Sequence, residues 1–168
     1  MRVAGVVLAT ALALALQTTM ARYIRAGVGV DLVLVVVVYA ALSWGPVTGL
    51  LTGTFAGLIQ DALSFNIIGI GGLAKTVVGF LAGVIGTQFI VAHPLPRFVV
   101  FFGASVLHAV LFIGAYELLG LSRFGAPVGR VAMQSLGNAV LGLVLFKVVE
   151  LLPGAVDGRR SAGTRIRR

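Results

Sequence analysis

The chain has 168 residues, of which 59% are hydrophobic and only 11% are charged. A soluble domain carries about 25% charged residues, so the composition excludes a soluble protein and predicts an all-α, polytopic membrane protein. The chain contains no cysteine, which excludes a disulfide, a thiolate nucleophile and a cysteine metal site. The net charge is +8, and five of the thirteen basic residues fall in the last ten positions.

Apolar segmentation predicts a bundle of about six transmembrane helices in a single domain, residues 1–155, followed by a disordered basic cytoplasmic tail, residues 156–168. The first span, 3–20, also resembles a signal peptide, but about 18 residues are enough to cross a bilayer. The second span, 32–44, is short, since 13 residues rise only about 20 Å against an apolar core of about 30 Å. It therefore starts near Ala26, with Asp31 part-way into the membrane, or it lies shallow.

Turn residues separate the remaining four spans. Pro46 suits the first turn of a helix and follows a Ser-Trp-Gly break, and His93-Pro94-Leu95-Pro96-Arg97 forms a stiff turn. These signals predict spans at 46–63, 73–91, 98–119 and 131–152. Seven basic residues fall on the side of the termini and five on the other side, which predicts that both termini are cytoplasmic.

A regular glycine pattern marks the third span, within the stretch 45–61. Gly49, Gly53 and Gly57 recur every fourth residue, and Asp61 occupies the next step. Residues four apart lie above one another on a helix, so these glycines form a smooth groove that ends at a carboxylate. Such a groove lets a second helix approach closely, either from a partner or from within the bundle. We expect the rest of the bundle to be organised around this helix.

Asp61, Lys75 and Glu117 are the ionisable residues expected at membrane depth, where charged groups often have a function. The favoured interpretation is structural: Asp61 and Lys75 flank one short connection and form an ion pair between the third and fourth spans. A proton relay or a substrate site is the alternative.

Other polar groups within the spans favour packing roles. Lys147 and Glu150 have the spacing of a local ion pair, and His108 is expected to make a helix-packing hydrogen bond. A polar stripe on the sixth span predicts inter-helix hydrogen bonds, with a small-molecule contact as the alternative: Gln134, Ser135 and Asn138. No nucleophile motif, phosphate loop or metal-ligand cluster is present, so we expect neither enzymatic activity nor a cofactor. The tail arginines are expected to meet anionic lipid rather than nucleic acid.

An ordered set of residues runs through the second and third spans and the connection that follows them. The set begins with Asp31 and the apolar run to Tyr39, continues with Gly45-Pro46 and the glycine-stepped helix ending in Asp61, and closes with Gly69 and Leu73. This set resembles the MreD family of rod shape-determining proteins. The patterned part covers residues 31–83, about half of the chain. Two departures are present: Val30 stands where the family often has proline, and Ser43-Trp44 stands where it often has a basic residue.

The resemblance implies a non-enzymatic scaffold subunit of the bacterial cell-elongation and peptidoglycan-synthesis machinery in the cytoplasmic (inner) membrane. Such proteins work with the bitopic protein MreC, and through it with RodA, a class B penicillin-binding protein and the actin-like MreB. The resemblance also implies the fold of the substrate-binding subunits of energy-coupling-factor transporters, which gives an alternative function as a vitamin-binding subunit. The short apolar outer connections and the groove of Gly49, Gly53 and Gly57 favour the scaffold.

Overall fold

A computed structural model describes residues 2–23, 29–64, 67–89, 93–121 and 128–151 of the chain. Within these ranges the chain forms six α-helices and no strand: α1 Arg2–Tyr23, α2 Leu32–Trp44, α3 Pro46–Leu63, α4 Ile70–Gln88, α5 Pro94–Leu118 and α6 Val128–Leu151. Four of them, α1, α4, α5 and α6, contain segments long and apolar enough to cross a membrane. This confirms the all-α, polytopic membrane class. The predicted domain boundary at 155 and the predicted tail lie outside the described residues.

The shortest helix, α2, occupies the centre of the bundle. It contacts each of the other five helices, and eight of its 13 residues are buried, Val33–Val38 together with Ala40 and Ala41. A helix that is hydrophobic on every side is a core helix, and 13 residues rise only about 20 Å, too little to cross the bilayer alone. The expectation that the bundle is organised around the glycine helix is therefore corrected: α2 is the central element and α3 packs beside it.

A tight turn at Gly45 joins α2 to α3. Gly45 adopts a φ of 92°, a backbone conformation that side chains other than glycine rarely adopt, and its N–H donates to the Ala41 carbonyl at 2.8 Å. Pro46 follows as the first residue of α3, where its missing N–H costs nothing. The turn reverses the chain so that α3 runs back along α2.

Two helix pairs flank α2. On one side α3 packs against α4 through glycines on both helices. On the other side α5 packs against α6, where the Phe101 ring lies over Gly142 so closely that an added Cβ would come within 2.5 Å of the ring. Phe101 and Ala139 complete the apolar core with Leu34 and Val38 of α2. The outer faces of the bundle are apolar and exposed, as expected for surfaces that meet lipid.

Candidate functional site

A buried ion pair joins α2 to α4 near the start of α2. Lys75 Nζ lies 2.7 Å from Asp31 Oδ2, and the two side chains are only 3% and 6% exposed. The sequence analysis paired Lys75 with Asp61, and the structure corrects this. Because α2 is central, its first residues lie among the other helices, and the carboxylate of Asp31 reaches Lys75 on the neighbouring helix.

His108 extends the ion pair to α5. Its Nε2 atom lies 3.1 Å from Lys75 Nζ, and both residues are buried. An ammonium group can only donate hydrogen bonds, so Nε2 is the acceptor and this contact requires a neutral imidazole with its proton on Nδ1. The predicted role of His108 as a helix-packing residue is confirmed.

Asn138 connects α6 to the same cluster. Its Oδ1 accepts from the Asp31 backbone N–H at 2.9 Å, and its Nδ2 donates to Ser105 Oγ of α5 at 2.7 Å. This confirms the predicted inter-helix hydrogen bonding at Asn138. Ser135, one turn earlier, is fully buried, and its hydroxyl has no hydrogen-bond partner among the described residues. The same role for Gln134 stays a prediction.

Gln17 of α1 completes the network. Its Nε2 donates to the Val30 carbonyl and its Oε1 accepts from the Leu32 N–H, both at 2.9 Å. One side-chain amide therefore bonds to both a backbone carbonyl and a backbone N–H at the start of α2. The sequence analysis missed Gln17, although the single amide side chain of the first span was a usable signal. With Gln17 the network connects α1, α2, α4, α5 and α6.

Asp61 joins α3 to α4 as predicted, but through different partners from the predicted Lys75. Its Oδ2 accepts from the backbone N–H groups of Gly69 at 3.0 Å and Gly72 at 3.1 Å, in the turn that starts α4. A carboxylate at a helix N-terminus satisfies unpaired N–H groups and opposes the positive end of the helix dipole. The glycines make this possible, because a side chain at Gly71 would overlap the carboxylate. Asp61 thus joins α3 to α4 through the backbone of α4.

The glycine groove is occupied by α4 of the same chain. A Cβ on Gly53 would overlap the backbone carbonyl of Lys75, and one on Gly57 would lie 2.5 Å from the Gly72 Cα. Gly49 meets Gly79 in the same way. The sequence analysis considered two occupants for this groove, a partner helix and a helix of the same bundle. The occupant is α4 of the same bundle, so the groove is not available to a partner helix.

The predicted pair of Lys147 and Glu150 is also replaced by a contact between helices. Glu150 of α6 lies 2.8 Å from Arg97 of α5, and the Arg97 guanidinium sits 4.2 Å from the centre of the Phe146 ring. Glu117 lies near the end of α5 and is exposed, so it is not part of the buried network.

The arrangement is suited to holding helices together. The buried charges of Asp31 and Lys75 satisfy each other, and Asp61 is satisfied by backbone N–H groups. Within the described residues, no group of three or more His, Asp or Glu side chains is placed to hold a metal ion.

The sequence profile of the rod shape-determining protein MreD matches residues 2–154. The chain belongs to the MreD family. The match extends the resemblance from residues 31–83 to nearly the whole chain, and family membership implies a role in rod shape determination. No curated protein and no solved structure matches the chain, so the similarity to energy-coupling-factor subunits stays a prediction.

Proposed function

We propose that this MreD family protein is a non-enzymatic scaffold of the cell-elongation machinery in the cytoplasmic membrane, with both termini in the cytoplasm. It binds the transmembrane helix of an MreC-like bitopic protein. RodA and a class B penicillin-binding protein associate directly or through that partner, and MreB associates indirectly. The observation that carries the proposal is the internal pairing of the buried polar groups around Asp31, Lys75 and His108.

This pairing favours a scaffold over the two alternatives. A proton relay needs a titratable group that exchanges protons with water, whereas Asp31, Lys75 and His108 are each less than a tenth exposed and bond to one another. A vitamin-binding subunit needs polar groups that are directed into a pocket. Here the amides of Gln17 and Asn138 are instead engaged by the chain's own backbone and side chains.

Because α4 fills the glycine groove, we place the partner helix on the outer apolar surface of the bundle. Photo-crosslinking residues introduced singly at exposed positions probe the outer surface of each of four helices: Leu12 on α1, Phe55 on α3, Val110 on α5 and Val140 on α6. Ala139, which is fully buried, supplies the negative control position.

Purification of the tagged chain from native membranes in mild detergent tests the proposal. We expect the MreC-like protein to remain bound, and we expect one exposed position to crosslink to it while position 139 does not. A folded chain that retains no membrane protein partner, or one that retains a small molecule instead, contradicts the scaffold function.

A further inference from the structure

His108 is the point at which the buried ion pair meets α5. Its ring lies 3.1 Å from Lys75 Nζ of α4, and Lys75 Nζ lies 2.7 Å from Asp31 Oδ2 at the start of α2. The ammonium is the donor in both contacts, so the ring is the acceptor and is neutral. One carboxylate, one ammonium and one neutral ring give these three side chains no net charge.

The neighbouring helices place no further charge beside His108 within the described residues. Helix α2 contributes Asp31 and α4 contributes Lys75, while the buried polar residues of α6, Ser135 and Asn138, are neutral. The charged residues of α5 itself lie more than two turns from His108, towards the two ends of the helix: Arg97 and Glu117. An additional positive charge at the ring would therefore have only Asp31 to compensate it, and Asp31 is already paired.

Protonation of His108 is incompatible with this arrangement. A histidine in water takes up a proton below about pH 6.5. The protonated ring has no acceptor atom, and it would place a second cation 3.1 Å from Lys75 Nζ. Wherever the added proton resides among the three side chains, the cluster acquires a net positive charge in an apolar interior, which is costly. Acid therefore favours conformations in which the ring leaves the cluster and reaches a wetter environment.

We propose that His108 is an acid-sensitive latch, which holds α5 against α4 at neutral pH and releases it as the pH falls below about 6.5. The closed form binds one proton fewer than the open form. Below that pH, the ratio of closed to open protein therefore falls by up to about ten-fold per pH unit. The latch acts on the junction of α4 with α5, since α5 is also bonded to α6 through Ser105 and Asn138. This regulation is separate from the scaffold function and does not rest on it.

The two histidines of the chain provide a matched pair of variants. His108→Gln keeps an oxygen that can accept from Lys75 but does not titrate, whereas His93→Gln removes the exposed histidine before α5. Thermal unfolding of the purified full chain, followed by the fluorescence of Trp44, is compared at about pH 7.5 and about pH 5.5. Acidification should lower the ratio of folded to unfolded wild-type protein by roughly ten-fold more than it does for His108→Gln. His93→Gln should respond to pH as the wild type does.

A second measurement locates the change at the junction of α4 with α5. The chain has no cysteine, so Leu73→Cys on α4 and Val110→Cys on α5, both at exposed positions, carry one pair of spin labels. In bilayers of the full chain, pulsed electron paramagnetic resonance should show a population of longer label separations that grows in acid and is absent from His108→Gln. An unchanged separation in acid overturns the proposal, as does an equal response in His108→Gln or a lost response in His93→Gln. These bilayers contain no partner protein, so the result does not depend on MreC binding.

Discussion

Removing one member of the Asp31–Lys75 pair should destabilise the bundle more than removing both. Asp31→Leu leaves the Lys75 ammonium buried with only the neutral His108 as partner. Breaking a buried ion pair by removing one member typically costs about 3–5 kcal/mol. Asp31→Leu also removes the carboxylate that accepts from the Leu34 N–H at 2.9 Å, and loss of such a cap costs about 1 kcal/mol.

The double variant Asp31→Leu with Lys75→Leu removes both charges, and replacing a buried pair by apolar residues is often neutral or stabilising. The double variant still lacks the cap on α2 and the hydrogen bond from Lys75 to His108, and each loss costs about 1 kcal/mol of stability. We therefore expect the double variant to lie within about 2 kcal/mol of the wild type. Asp31→Asn should fall between the two, because its amide oxygen can still accept from Lys75 or from Leu34.

Trp44, the single tryptophan of the chain, provides the assay, since its ring contacts Tyr39 at a centroid distance of 5.9 Å. Thermal unfolding of the purified bundle, followed by this fluorescence, should show a loss of about 10–20 °C for Asp31→Leu. Cell-shape complementation and membrane abundance are measured alongside. If the double variant is as unstable as Asp31→Leu, or if Lys75→Leu rescues Asp61→Leu instead, the pairing described above is wrong.

Three further predictions follow from the helix contacts and from the orientation. Gly53→Ala should destabilise the bundle by about 1–3 kcal/mol, because its methyl group would overlap the α4 backbone. Gly103→Ala should be neutral or stabilising, since nothing lies within 4 Å of a Cβ there. Thermal unfolding compares the two variants, and equal losses of stability would contradict the described packing of α3 against α4. Asp61→Asn should retain most of the stability, whereas Asp61→Leu should lose about 1–2 kcal/mol because it removes the cap on α4. In the same assay, adding Lys75→Leu to Asp61→Leu should not restore the lost stability. Reporter fusions after Arg168 and within residues 122–127 should report opposite sides of the membrane, with the C-terminal fusion cytoplasmic; an extracytoplasmic C-terminus refutes the proposed orientation.

The helices could be predicted from the sequence because their signals are local. The bounds of α2 and α3 agree with the apolar segments 32–44 and 46–63, since Trp44-Gly45-Pro46 marks the end of one helix and the start of the next. The alternative that the second span starts near Ala26 is wrong, because α2 begins at Leu32 with Asp31 as its cap. Helix α5 begins four residues earlier than predicted, at Pro94, because prolines are tolerated in the first turn of a helix and do not have to precede it.

The helix contacts were harder to predict because they join distant parts of the chain. Glycine spacing indicates that a close neighbour is present, but it does not identify the neighbour as α4. The Asp61–Lys75 pair was chosen for its short separation along the chain, whereas the observed pair joins Asp31 and Lys75 across two intervening connections. Only the central position of α2, a tertiary property, brings Asp31 into the interior.

The shortness of α2 explains why a polar network lies within an apolar bundle. Helices α5 and α6 have 25 and 24 residues and rise about 36 Å, so at least one end of the 13-residue α2, about 20 Å long, lies below a membrane surface. The burial of Asp31 indicates that this end is the start of α2. The first N–H groups of a helix lack partners within the helix, and leaving them unpaired away from water costs several kcal/mol each. Three side chains supply the missing acceptors at the start of α2: Asn138 for the Asp31 N–H, Gln17 for the Leu32 N–H and Asp31 for the Leu34 N–H. Lys75 then balances the carboxylate that serves as the cap, so the buried charges follow from the architecture without any chemistry being required of them.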